Sequence, residues 1–200
     1  MSERDWEIWD KQRVEYYIKR YGHPERQDEQ HRLRMRKAAE LVEGDTVLDV
    51  GCGIGHLYPY VRAKVKEYVG IDNSEAMLAA AKAFYPDIEF TYGDIYNLDD
   101  FKTFDSVICQ SVLIHLPEIK TPIKEMWKHT AKTLIFSIPI ASQQVIKNAD
   151  RYKGKRQIYH AETISNIQAI IDELDDVASV ERHEAQKNTS SNIYFKLIRG

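Results

Sequence analysis

Short apolar runs rich in β-branched residues alternate with amphipathic stretches between residues 46 and 140. Residues 47–50, 67–71, 88–91, 104–108 and 133–138 read as five buried strands, bounded by Gly, Asp, Cys or Pro. The intervening stretches 56–65, 74–84 and 117–130 have helical character, with a short turn near 97–102; Ser74 is placed as an N-cap and Pro117 suits a first helical turn. Strand–helix–strand connections in one sheet are right-handed, so this order predicts a doubly wound α/β fold with a mostly parallel sheet and helices on both faces. Ligands of such sheets sit outside the strand C-termini.

After residue 140 the pattern changes. Residues 161–174 are helical, while 177–184 and 193–198 alternate on either side of a polar stretch at 186–192, which predicts an antiparallel hairpin closing one sheet edge. Residues 1–43 form a helical N-terminal extension in which Trp6, Trp9, Tyr16, Tyr17 and Tyr21 recur near helical spacing. That aromatic stripe can pack on the core or act as a lid. No internal repeat is visible.

Composition narrows the function. Two hundred residues fit one domain, and 28 Lys plus Arg against 31 Asp plus Glu leave a formal net charge of −3. No global field for a polyphosphate partner follows from that balance, and nucleic acid is not the expected partner. Lys147, Arg151, Lys153, Lys155 and Arg156 make a local basic cluster after the fifth strand, read as a solvated loop able to attract a carboxylate or phosphate. Arg32, Arg34, Arg36 and Lys37 read as a wet helix face. The N-terminus is charged and no apolar run approaches a membrane span, so a cytoplasmic protein is expected. Cys52 and Cys109 are too few for a disulfide framework or a cysteine-rich zinc site, and no metal is expected.

The densest chemical signal is Val47-Leu48-Asp49-Val50-Gly51-Cys52-Gly53-Ile54-Gly55-His56, a strand running into a glycine-rich turn. The dinucleotide fingerprint fails because His56 stands where its third glycine belongs, and no Gly-Lys-Ser or Gly-Lys-Thr exists for a Walker loop. Asp49 would repel a pyrophosphate and suits a positively charged ligand. Asp72 follows the second strand, placed to accept from ribose hydroxyls, and Asp94 follows the third, placed to accept from an exocyclic amine. An ammonium, a ribose diol and an aminopurine without phosphate together describe S-adenosylmethionine (SAM).

On these motifs residues 47–139 resemble the core of class I SAM-dependent methyltransferases of the small-molecule type. The acid-x-Gly-x-Gly-x-Gly series from Asp49 to Gly55, Gly70-Ile71-Asp72, Gly93-Asp94-Ile95 and Phe104-Asp105-Ser106-Val107-Ile108 stand in the family's order and spacing. The resemblance implies one domain over 1–200, with a helical cap at 1–43 and a Rossmann-like core at 44–200 whose seven-stranded sheet has an antiparallel last strand. It implies SAM as cofactor and S-adenosylhomocysteine (SAH) as product. By the same resemblance Asp49 and the backbone of Gly51, Cys52, Gly53 and Gly55 hold the methionine part, Asp72 the ribose, and Asp94 with Ile95 the adenine. Asn73 and Met77 are placed to flank the base, although Met77 also suits core packing. Cys109 and Gln110 would lie near the methyl group and the acceptor.

Methyl transfer from a sulfonium is an in-line displacement, so alignment supplies much of the rate and a general base is optional. His115, in Val112-Leu113-Ile114-His115-Leu116-Pro117, is the candidate base; in family members with a similar stretch the His is often structural. The [DNS]-P-P-[YF] element of enzymes that methylate planar amino groups is replaced by Cys109-Gln110-Ser111-Val112, and the acids of magnesium-dependent catechol-type members are missing after this strand. A small molecule or an exposed protein group remains as acceptor, and a small molecule is expected. The competing functions are a SAM-binding partner subunit without catalysis and an RNA methyltransferase using the basic cluster.

Overall fold

A computed structural model describes residues 4, 7–153, 155–184 and 192–200. Trp6 of the aromatic stripe, most of the polar stretch at 186–192, and the side chains of Tyr21, Arg151 and Arg156 lie outside what it describes.

The five expected parallel strands form: β1 (Thr46–Val50), β2 (Glu67–Asp72), β3 (Glu89–Tyr92), β4 (Phe104–Cys109) and β5 (Thr130–Pro139). Two later strands, β8 (Val177–Glu184) and β9 (Asn192–Arg199), complete a seven-stranded sheet of order β3-β2-β1-β4-β5-β9-β8. Only β9 runs against its neighbours, pairing antiparallel with both β5 and β8. The chain leaves β1 toward β2 and β3 on one side and returns to β4 on the other, so a crevice opens above the C-terminal ends of β1 and β4.

Both sheet faces are covered, which is why these strands read as nearly continuous apolar runs. Leu48, Val50, Val69, Val107 and Phe136 pack under α5 (Lys120–Lys128) and α6 (Ile164–Ile171) through Ile123, Met126 and Ile167. Val47, Tyr68, Phe90, Ile108 and Ile135 pack under α2 (Glu29–Leu41) and α4 (Glu75–Phe84) through Met35, Ala38, Leu78 and Ala81. Ser74 caps α4 as expected, its hydroxyl accepting from the Met77 N–H at 3.2 Å.

Two expectations are corrected. The helix expected at 56–65 shrinks to one turn, α3 (Tyr58–Val61), because Pro59 fits only a first turn and Lys64 turns back to donate to the carbonyls of Ala39 and Val42. The basic stretch after β5 is not a loop: β6 (Val145–Tyr152) and β7 (Lys155–Ala161) form an antiparallel hairpin of their own. The hairpin packs on the 3-10 turn Leu113–His115, where His160 Nδ1 lies 2.9 Å from the Leu116 carbonyl and Nε2 lies 2.9 Å from Glu162 Oε1. The N-terminal extension folds as α1 (Lys11–Tyr21) and α2.

Candidate active site

A cavity of about 600 Å³ lies above β1, β2 and β4, roofed by α1 and the segment before it. That size is in the range of small-molecule and cofactor sites. Asp49, Gly51, Cys52, Gly53, Asp72, Asn73, Met77, Ile95, Gln110 and His115 all line it, so the structure brings together ten of the thirteen residues singled out from sequence.

Asp49 is 3% exposed and its Oδ2 accepts from the Tyr68 hydroxyl at 2.6 Å. Burial pushes its carboxyl up to about 7, opposed by that hydrogen bond and aided by the nearby charge of Asp72. Asp72 Oδ2 accepts from the Gly53 N–H at 3.0 Å and Oδ1 from the Ser74 N–H at 2.9 Å. Burial raises it to about 6 against these backbone donors. Two carboxylates thus stand side by side in a pocket that penalises their charge, a field complementary to a cation.

The turn between them needs its glycines. Gly51 and Gly53 have φ of 74° and 55°, in the left-handed region. A Cβ on Gly51 would come 2.3 Å from Val112 Cγ2, whereas one on Gly53 would meet nothing nearer than Met77 Sδ at 4.0 Å and would protrude into open space. Gly53 is therefore bare toward the cavity, as close approach of a ligand to backbone requires.

Three residues fall elsewhere. Cys109 is 0% exposed and belongs to the core beneath α5, because strand alternation turns it with Val107 away from the cavity and leaves Gln110 to reach it. Gly55 backs onto Phe90 and Tyr85. Asp94 takes a two-pronged ion pair from Arg4, Nη1 to Oδ1 at 2.9 Å and Nη2 to Oδ2 at 2.7 Å, and also accepts from the Tyr96 N–H. A charge-assisted fork satisfies the carboxylate that was expected to meet an amine, and Asp94 does not line the cavity. Met77 packs with Val14 and Ile54 while lining the cavity floor. The Cys52 thiol is pushed well up by burial and by Asp72 and Asp49.

Beyond the aromatic stripe, which sequence reasoning offered as packing or a lid, the contribution of the cap was missed. Arg13, Tyr16, Tyr17, His31 and Arg34 all line the cavity, and so does Gln157 of the hairpin. Arg34 is corrected from a wet helix face: its Nη2 lies 3.4 Å from His31 Nδ1. His31 and His56 stack edge to face at 4.9 Å, and burial lowers them to about 4 and about 3, so both are neutral imidazoles. His115 stands 6.1 Å from Trp9, ring to ring, with Nδ1 3.4 Å from the Ile158 carbonyl, and burial lowers its pKa. The only early signal of this wall was the aromatic stripe of α1.

A doubly wound sheet with a reversed strand β9, carrying an acid and a glycine turn at its switch point and a second acid at the end of β2, has the Rossmann-like methyltransferase fold. Residues 47–133 match the family described as a methyltransferase domain. Among curated relatives it is 26% identical over 172 residues to (S)-tetrahydroprotoberberine N-methyltransferase of Eschscholzia californica, covering 78% of this chain and 49% of that protein. It is 30% identical over 139 residues to tRNA U34 carboxymethyltransferase of Pseudoalteromonas translucida, covering 63% and 42%. The chain thus spans about half the length of such relatives. Magnesium protoporphyrin IX methyltransferase of Synechocystis PCC 6803, solved with bound SAM, shares the fold at a TM-score of 0.67 and 21% identity, over 96% of this chain and 98% of that one. An amino pentose methyltransferase of Micromonospora echinaspora, also solved with SAM, gives 0.68 and 17%, over 94% and 97%. No helix among the described residues is long and apolar enough to cross a membrane.

Proposed function

We propose that this chain, acting as one domain, transfers the methyl group of SAM to a small-molecule acceptor bound under α1 and the β6–β7 hairpin. The observation that carries the reading is the pairing of a bare glycine turn with two carboxylates, the buried Asp49 and the partly buried Asp72, in a cavity of about 600 Å³. When bound, SAM supplies a methyl group already activated by its sulfonium. Asp49 and the Gly51–Gly53 backbone hold the positively charged end, Asp72 keeps lone pairs for the ribose diol, and Asn73, Met77 and Ile95 flank the base. Arg4 covers Asp94, so recognition on the adenine side rests on Ile95.

Catalysis under this reading is alignment in a water-poor cavity. Trp9 and Tyr17, with ring centroids 5.5 Å apart, close the roof. His115 lines the cavity, and burial lowers its pKa, which favours the unprotonated imidazole that a general base needs while weakening it as a base. His115→Gln is expected to lower turnover while leaving SAH affinity unchanged; equal turnover would make the ring a wall residue only. Asp72→Ala is expected to weaken SAH by about 1–3 kcal/mol, roughly 5- to 150-fold, through lost charged hydrogen bonds and loss of the acceptor that sets the Gly53 and Ser74 amides. Calorimetric titration checks this, and unchanged affinity would refute the role of Asp72. Label transfer from methyl-labelled SAM to a metabolite extract tests the function as a whole: a labelled small molecule is expected, and label appearing only in RNA would favour the nucleic-acid alternative.

A further inference from the structure

Charge is spread unevenly over the cavity lining, where Arg4 is paired with Asp94 and Glu7, and Arg34 lies beside His31. Among the described residues its acids, Glu7, Asp49 and Asp72, sit on the side of the β1 and β2 ends, where Glu7 accepts from Asn73 Nδ2 at 3.0 Å. The opposite wall, beyond β4, is built by α1, the 3-10 turn Leu113–His115 and β7, and it presents donors. Arg13 Nη2 donates to Gln157 Oε1 at 2.6 Å, and the guanidinium carbon lies 5.3 Å from the centroid of the Trp9 ring. An amide and an indole from two different elements therefore brace one planar fork at the cavity wall. With Gln157 Oε1 engaged by Arg13, the same amide keeps its N–H groups as donors. Gln110 Nε2 is buried and has no hydrogen-bond partner among the described residues. Arg13 also contributes to the lowered pKa of His115, which places its charge in the same compartment as the candidate base. The rest of this wall is apolar, through Ile114, Val112 and Leu116.

We propose that the methyl acceptor is a small molecule with an apolar body and a carboxylate, and that Arg13, braced by Gln157 and Trp9, is the residue that selects the carboxylate. The inference rests on the methyl-transfer reading and adds the acceptor's chemical class to it. A rigid guanidinium fork matches the two oxygens of a planar carboxylate, and a partly dry site strengthens that pairing. An amine acceptor would meet repulsion on the same wall. The positioning of Arg13 by Gln157 also gives the β6–β7 hairpin a role: it fixes the orientation of the group that reads the acceptor.

The test uses the full chain loaded with SAH and a fixed set of probes: benzoate, cinnamate and indole-3-acetate, each beside its uncharged amide and a matched amine. Binding is read by calorimetry on wild type, Arg13→Met, Arg13→Lys and, as a charge control on the exposed side of α1, Lys19→Met. At least one acid is expected to bind about tenfold or more tighter than its amide and amine. That preference is expected to vanish in Arg13→Met, to be reduced in Arg13→Lys and to survive in Lys19→Met, with SAH affinity within about twofold throughout. If the acids bind no better than amides or amines, or if Arg13→Met keeps the preference, the inference is overturned while the methyl-transfer reading stands. Should SAH itself fail to bind wild type, both fall together. Were Arg13→Met to misfold, the acid-against-amide comparison on wild type still decides.

Discussion

Replacing Asp49 by Asn is expected to make the ligand-free protein more stable at pH 8 and at the same time a worse binder of SAM. The carboxyl is buried, its pKa is raised to about 7 by desolvation first and by Asp72 second, and the Tyr68 hydroxyl only partly offsets this. A carboxyl raised above its unfolded value binds its proton more tightly in the folded state. Its penalty is absent below about pH 4, grows as pH rises to about 7 and is constant beyond. Asn keeps an oxygen for Tyr68 and removes the charge. The variant should therefore melt several degrees higher at pH 8, reflecting about 2–4 kcal/mol, and the gap should close toward pH 4. SAM affinity should fall about tenfold or more because the cation loses its counter-charge. Thermal melts across pH and a SAM titration check both halves. A variant that melts lower at pH 8, or binds SAM as well as wild type, would refute a cation-seeking Asp49.

Gly51→Ala should act in the opposite direction on stability. The residue sits at φ 74°, and its Cβ would lie 2.3 Å from Val112 Cγ2. The left-handed conformation costs about 1–2 kcal/mol and the overpacking about 1–3, so a fall of roughly 5–15 °C in melting temperature is expected. Val112 follows Ser111, which itself has φ 58° and donates its N–H to the Ser137 hydroxyl at 2.9 Å, so the loop after β4 has little room to retreat. SAH affinity should drop with stability. Adding Val112→Ala should restore part of the melting temperature, since it removes the clash and leaves the dihedral strain. A melting temperature unchanged in Gly51→Ala would contradict the tight approach of the two loops.

Much of this fold was readable because β1, β2, β4 and β5 are buried on both faces and announce themselves as apolar runs between turn residues. The reversed β9 was readable too, as a run alternating with β8 across a polar gap. The β6–β7 hairpin was not, because Lys147, Lys153 and Lys155 dominate its sequence and its packing partners, Leu113 to His115, are far along the chain. In the site, Asp49, Gly51 and Gly53 were legible since they sit on one continuous strand–turn series, and Asp72 since it ends the next strand. Arg13, Arg34 and Gln157 reach the cavity only through tertiary packing of the cap and the hairpin, and a basic residue on a helix carries no local mark of the face it takes. Cys109 was misplaced by one step of strand alternation. Asp94 was expected from its motif to face the ligand, and the residue that takes it instead, Arg4, lies 90 residues away in sequence.

A single calorimetric comparison at pH 8 bears most directly on the idea that the cavity's two carboxylates and a bare glycine turn choose the ligand. SAM and ATP share adenosine and differ in what they present to Asp49: a sulfonium and ammonium in one, a triphosphate in the other. Saturable SAM binding, lost in Asp49→Asn, with no heat from ATP at the same concentrations, is the expected result; ATP binding that SAM cannot displace would contradict it.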